Sequence, residues 1–186
     1  MKKVKLFLLV IAVMVSLSGC GGNIDLVKNG VMDFNKTTAL GKALDNWESC
    51  ESRNWEEFKT DNGIQVVQFS CQHKIVQFMS KLKSLVSKEN MTEAQIKANH
   101  LDIASIVQTF QFTINLDDTF QIDNVQAKII WEDGTSSDGE PLNVSQSLER
   151  LKKAYANELE FDPDMANIMT AEATSFDFFL RKSSAE

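Results

Sequence analysis

Cys20 stands at the exit of an apolar run, directly before Gly21 and Gly22, and its thiol is the first group in the chain equipped for chemistry. Lys2, Lys3 and Lys5 make a basic start, Leu6 to Val15 is apolar throughout, and Ser16-Leu17-Ser18-Gly19 is mostly small. This is the layout of a secretory signal peptide, and the apolar run is shorter than the ~20 residues that a membrane-spanning helix needs. Export sets the chemistry open to the other two cysteines, Cys50 and Cys71. In an oxidising compartment two thiols point to a disulfide, closing a loop of about 20 residues and contributing roughly 3 kcal/mol in the chain-entropy model. Two buried free thiols are the alternative. No Cys-x-x-Cys pair or histidine cluster accompanies them, so zinc is not indicated.

Leu17-Ser18-Gly19-Cys20 resembles the lipobox of bacterial lipoproteins. The resemblance implies that the Cys20 thiol receives a diacylglyceryl group, that the signal is cut between Gly19 and Cys20, and that the new amino group is acylated. One acyl chain binds a membrane only marginally, whereas two or more hold firmly. The next residue is Gly21 rather than Asp. In Gram-negative lipoproteins an Asp there favours retention at the inner membrane, so the resemblance implies the outer membrane, facing the periplasm.

The remaining polar candidates are less specific. His73 and His100 stand far apart in sequence, and each reads as a surface or internally satisfied group. No Gly-x-Ser-x-Gly, His-Glu-x-x-His or phosphate-cradling glycine loop occurs. Asp117, Asp118, Glu132 and Asp133 would be the acids of a hydrolase if they converged. Paired acids in turns more often simply make turns. The expectation is therefore no catalytic residues, no metal and no cofactor.

Removing residues 1–19 takes away three lysines and no acid, leaving 16 basic against 26 acidic side chains, net −10. Such a chain lacks the basic footprint of a nucleic-acid binder. It is also repelled by anionic lipid surfaces, so the acyl chains must hold it. The 167 residues from Cys20 to Glu186 suit one domain.

The elements that would position these groups follow from periodicity. Residues 20–36 read as the lipidated cysteine and a tether that partly docks on the domain. Thr37-Thr38 opens a helix to about Cys50, with Leu40, Ala43, Leu44 and Trp47 on one face. A hairpin follows: a strand from Trp55 to Lys59, a turn at Thr60–Gly63, and a strand from Ile64 to Cys71 with Val67, Phe69 and Cys71 on one face. Ile75 to Val86 reads as strand continuation or as helix. Thr92 with Gln95 is a capping box opening a helix to about Ala104. Residues 107–116 alternate, with Phe110, Phe112, Ile114 and Leu116 sharing a face, and residues 119–131 return. A polar loop leads to a helix at Asn143, with Val144, Leu148, Leu151 and Tyr155 at helical spacing. "TSFDFFLRK" reads as an edge strand, and residues 183–186 as a frayed tail. Together these give one α+β domain over 37–182: an antiparallel sheet of hairpins with helices packed on one face.

Lys28-Asn29-Gly30, Thr37 to Leu44, Asn54 to Phe58, Asp61 to Phe69 and Phe110 to Val125 together resemble a family of small, largely uncharacterised bacterial lipoproteins. The match rests on packing and turn residues, with Gly41 either a close-packing site or a family habit. A coarser likeness links the helix-and-sheet plan to the lipoproteins of the outer-membrane assembly machinery and to the β-lactamase inhibitor proteins, both of which bind proteins. The expected function is a membrane-anchored, non-catalytic module that binds an envelope protein partner or assists assembly, through exposed aromatics on the sheet or an open edge strand. The alternatives are a carrier with an apolar cavity between helices and sheet, or an envelope hydrolase.

Overall fold

The computed structural model describes the backbone of residues 22–183 and the side chains of residues 22–173. Expectations for residues 1–19, for the Gly19–Cys20 cleavage site with its lipidated Cys20, and for residues 184–186 lie outside the described residues. The fold is α+β, as expected. Five strands form one antiparallel sheet in sequence order: β1 (Cys50–Lys59), β2 (Gln65–His73), β3 (Ile103–Ile114), β4 (Phe120–Trp131) and β5 (Ser136–Asp138). Among the described residues six helices accompany it: α1 (Asn23–Asn29), α2 (Leu40–Asp45), α3 (Val76–Lys88), α4 (Glu93–Ala98), α5 (Val144–Tyr155) and α6 (Pro163–Ser183).

Register gives the sheet one apolar face. Val67 pairs with Phe112, Phe69 with Phe110 and Cys71 with Gln108, so alternation sends the odd residues of β2 and the even residues of β3 to the same side. On β4, Val125 and Ile122 are both buried although three residues apart. Strict alternation would put them on opposite faces. Gln111 pairs with Asn124 but Phe112 pairs with Ile122, so Asp123 is an extra residue, and this bulge restores both apolar side chains to the core.

Every helix that contributes to the core sits on that face. One cluster joins Val27 of α1, Leu40 and Leu44 of α2, and Leu151 and Ala154 of α5 to Val67, Phe69, Phe110 and Phe112. A second joins Phe78 and Leu82 of α3, Ile96 of α4, and Ala166 and Ala173 of α6 to Ile103 and Ile106. Close packing explains Gly41: a Cβ there would meet the Lys28 Cβ at 2.7 Å and the Lys28 carbonyl oxygen at 2.9 Å, where α2 crosses α1.

Several boundaries differ from the periodicity reading. The first predicted helix is shorter, Leu40–Asp45, because Asn35 Oδ1 accepts the Thr37 and Thr38 amides and holds them in a turn, leaving Ala39 as an N-cap without a side-chain bond. Its shortness frees residues 50–54 to begin β1, whose polar outer half showed no alternation. Residues 76–88 are helix, not strand. The capping box at Thr92 forms as expected, but α4 stops at Ala98 and His100 takes φ +56° before β3 begins. Leu116 lies beyond the end of β3 and faces solvent rather than the core. The polar loop after β4 contains a short strand, β5.

The largest correction is the C-terminal edge strand, which is a helix. Asp162 Oδ1 accepts the Asp164 and Met165 amides, and Pro163 occupies the first turn, where its missing N–H costs nothing. Ala166 and Ala173 then lie seven residues apart on the buried stripe against α3. Small residues let the helices approach, a stronger constraint than the β-propensity of the phenylalanines that follow.

Candidate functional site

Three surfaces and one buried seam result from this architecture. The first surface is the face of the sheet opposite the helices. Ser70 and Gln68 of β2 and Thr109 and Gln111 of β3 point to it by alternation. Their side chains bond to one another and to the backbone: Gln111 Nε2 donates to Gln68 Oε1 at 2.8 Å, and Thr109 Oγ1 donates to the Gln126 carbonyl at 3.3 Å. β2 and β3 place no charged residue on this face, in a chain that is 24% charged. The edge strand β1 differs. Glu51, Arg53, Glu56, Glu57 and Lys59 punctuate it, and such charges hinder pairing with another strand.

The second surface is a cleft of about 690 Å³ at the far end of the sheet, between α3, α4 and the β4–β5 turn. Leu82, Val86, Ile96 and Leu101 make its apolar floor. Lys83 reaches across to Glu132 at 3.2 Å, and Lys97 pairs with Glu93 at 3.2 Å. Asp133 and Asp102 complete the rim. The Asp133 carboxylate accepts the amide and hydroxyl of Thr135, which hold its pKa below the usual carboxylate value. A general acid requires the opposite shift.

Asp117 and Asp118 are not part of this cleft. They lie in the β3–β4 turn, at the other end of the twelve-residue β4, separated from Glu132 and Asp133 by about 40 Å at the strand rise. Asp117 is likewise lowered by the Thr119 hydroxyl and amide it accepts, and Asp118 takes φ +58°. The four acids thus divide into two turn-making pairs. The third surface is the hairpin-tip end where Asp117 lies.

The buried seam runs between the two apolar clusters. His73 is 1% exposed; its Nδ1 accepts the Ser49 hydroxyl at 2.9 Å and its Nε2 donates to Gln108 Oε1 at 3.0 Å. Burial lowers its pKa to about 4, so the ring is neutral near pH 7. Ser49 Oγ also accepts the Glu160 amide at 3.1 Å. The Glu160 carboxylate pairs with Arg150 and has Lys153 Nζ at 3.4 Å. The associated void is about 110 Å³. Here serine and histidine serve as mutual hydrogen-bond partners in a closed core rather than as an accessible nucleophile and base. His100, by contrast, is exposed, its ring tilted against that of Trp131 with centroids 5.0 Å apart.

Cys50 and Cys71 form a disulfide within the first cluster. Among the described residues no group of three or more His, Cys, Asp or Glu side chains could hold a metal ion, and no helix is long and apolar enough to cross a membrane. The seam and the cleft escape sequence reading because their members come from distant segments: Ser49, His73, Gln108 and Glu160 share no local period. Compared with protein-family models, with curated proteins and with solved structures, the chain matches none.

Proposed function

We propose that this protein is a lipid-anchored, non-catalytic module, tethered through Cys20 at the outer membrane and facing the periplasm, that binds an envelope protein through the uncovered face of its sheet. The observation that carries this reading is that face itself: backed by the apolar core and free of charge along β2 and β3. Depletion of charge marks the centre of protein contact surfaces. The charges along β1 favour the face over the edge as the contact, and Phe58, 38% exposed, supplies an aromatic at its margin. The test is a photo-crosslinking side chain placed at Thr109 or at Gln126, with exposed Ser84 of α3 as control, in cells making the full chain. A discrete adduct from the sheet positions, absent at Ser84 and lost in Cys20→Ser, is expected. No adduct from either sheet position would overturn the reading.

A second reading, carriage of a small apolar ligand, draws on the cleft. Its volume of about 690 Å³ falls within the several hundred Å³ typical of small-molecule sites. The void between helices and sheet, about 110 Å³, is too small for that role. Saturable binding of an apolar fluorescent probe, abolished by Ile96→Trp, would support carriage; binding unaffected by that change would count against it.

A further inference from the structure

The two long hairpin turns and the start of the described chain meet at one end of the sheet. Thr60 N donates to the Ile64 carbonyl in the β1–β2 turn, and Asn115 N donates to the Thr119 carbonyl in the β3–β4 turn. The register Val66 with Thr113 brings these turns side by side. Asn23, at the N-terminus of α1, lines the same shallow hollow as Gly63, Ile64, Asn115 and Leu116. At most about 10 Å of extended chain separates Asn23 from Cys20.

This end carries apolar side chains at its turn tips. Turn tips are ordinarily polar, yet Leu116 is 109% exposed and Ile64 46% exposed. Leu116 has no packing reason to be apolar, and nearly half of Ile64 remains in solvent. Val31, also 46% exposed, lines the adjoining groove with Asp118.

We infer that this end of the sheet inserts into the surface of the bilayer, with Leu116 and Ile64 as wedges between the headgroups. The inference rests on the proposed acylation of Cys20, which fixes the N-terminal side of α1 within reach of the membrane. Asp61, Asp117 and Asp118 flank the wedges and would be repelled by an anionic surface, so the matching surface is zwitterionic. Insertion at the tips stands the strands away from the bilayer. The β4–β5 turn and the cleft then lie about 40 Å out, the length of a twelve-residue strand, and the uncovered face is presented side-on to a partner.

The test uses the full, acylated chain in phosphatidylcholine–phosphatidylethanolamine vesicles carrying a nitroxide-quencher lipid. With Cys20 acylated and Cys50 bridged to Cys71, a cysteine introduced as L116C, I64C or D133C is the single free thiol for an environment-sensitive fluorophore. The expected result is a blue shift and loss of emission at positions 116 and 64, with neither at 133 on the distant turn. Leu116 makes no buried contact, so L116C is expected to fold; I64C is the independent second variant. Unquenched emission at both tips, with acylation of Cys20 established by mass spectrometry, would overturn the insertion and leave the anchor standing. An unmodified Cys20 in the membrane-derived protein would overturn the anchor, and the insertion with it.

Discussion

The Ser49 hydroxyl and His73 Nδ1 lie 2.9 Å apart in a seam sealed between two apolar clusters. The Gln108 side-chain oxygen, Oε1, on the opposite ring nitrogen fixes the tautomer, with Nε2 protonated and Nδ1 free to accept. Protonating Nδ1 would place a charge in this buried seam, beside Arg150. Burial, the largest cause, lowers the His73 pKa from 6.5 to about 4.

Stability should therefore depend on pH through this ring. The unfolded chain takes up a proton near pH 6.5, the folded protein not until about pH 4. Between those values the unfolded state binds more protons, so stability falls as pH falls. The full contribution is present above pH 6.5 and is lost by about pH 4, a change of roughly 3 kcal/mol. Urea midpoints measured across that window should decline for the natural chain. His73→Gln should cost about 1–3 kcal/mol at pH 7, by disturbing buried hydrogen bonds, and should remove this component of the decline. An unchanged slope in the variant would refute the assignment to His73.

Glu160 gives a second prediction. Its side chain is 4% exposed and faces two cations, Arg150 and Lys153. Removing one partner of a buried ion pair leaves a charge uncompensated, which typically costs 3–5 kcal/mol. Arg150 is 37% exposed and Lys153 Nζ remains 3.4 Å from the carboxylate, so Arg150→Leu should lose less than that, about 1–3 kcal/mol at pH 7. Arg150→Leu combined with Glu160→Leu should recover a large part of the loss. A double variant no more stable than the single one would show that the pair is not the source.

The parts of the fold that were legible are those whose signal is local. Phe110 and Phe112 alternate with Thr109 and Gln111, and the Thr92–Gln95 box is contained in four residues. The beginning of β1 was hidden because Glu51 to Asn54 are all polar on an edge strand. β5 has only Ser136, Ser137 and Asp138, which carry no pattern. The aromatic content of the C-terminal segment points to a strand and outweighs Pro163 and the spaced alanines; what decides for a helix is contact with α3, 75 or more residues away in sequence and invisible to a local window. The same reason conceals the seam and the cleft. Alternation places Leu116 on the core face only if it is extended two residues past Ile114, where β3 ends.

Gly41 tests the packing of α1 on α2. Alanine is the better helix former by about 1 kcal/mol, so propensity alone predicts that Gly41→Ala stabilises. The Lys28 backbone leaves no room for a methyl group, and overpacking typically costs 1–3 kcal/mol. The steric term should win, lowering the thermal midpoint. A raised midpoint would mean that α1 moves aside freely.

The disulfide supplies the last prediction. Cys50 opens β1 and Cys71 lies on β2, both fully buried and 21 residues apart. Bridging them restricts the unfolded chain over a span that includes the first hairpin, worth roughly 3 kcal/mol. Cys50→Ala with Cys71→Ala also leaves the space of two sulfurs in the first cluster, so the loss should reach about 2–5 kcal/mol. Reduction of the natural chain separates the two effects, because it restores chain entropy while keeping both sulfur atoms in place. The reduced protein should unfold at lower urea than the oxidised one but at higher urea than the double alanine variant. Equal midpoints for the reduced and oxidised forms would show that the bridge contributes nothing beyond the packing of its sulfurs.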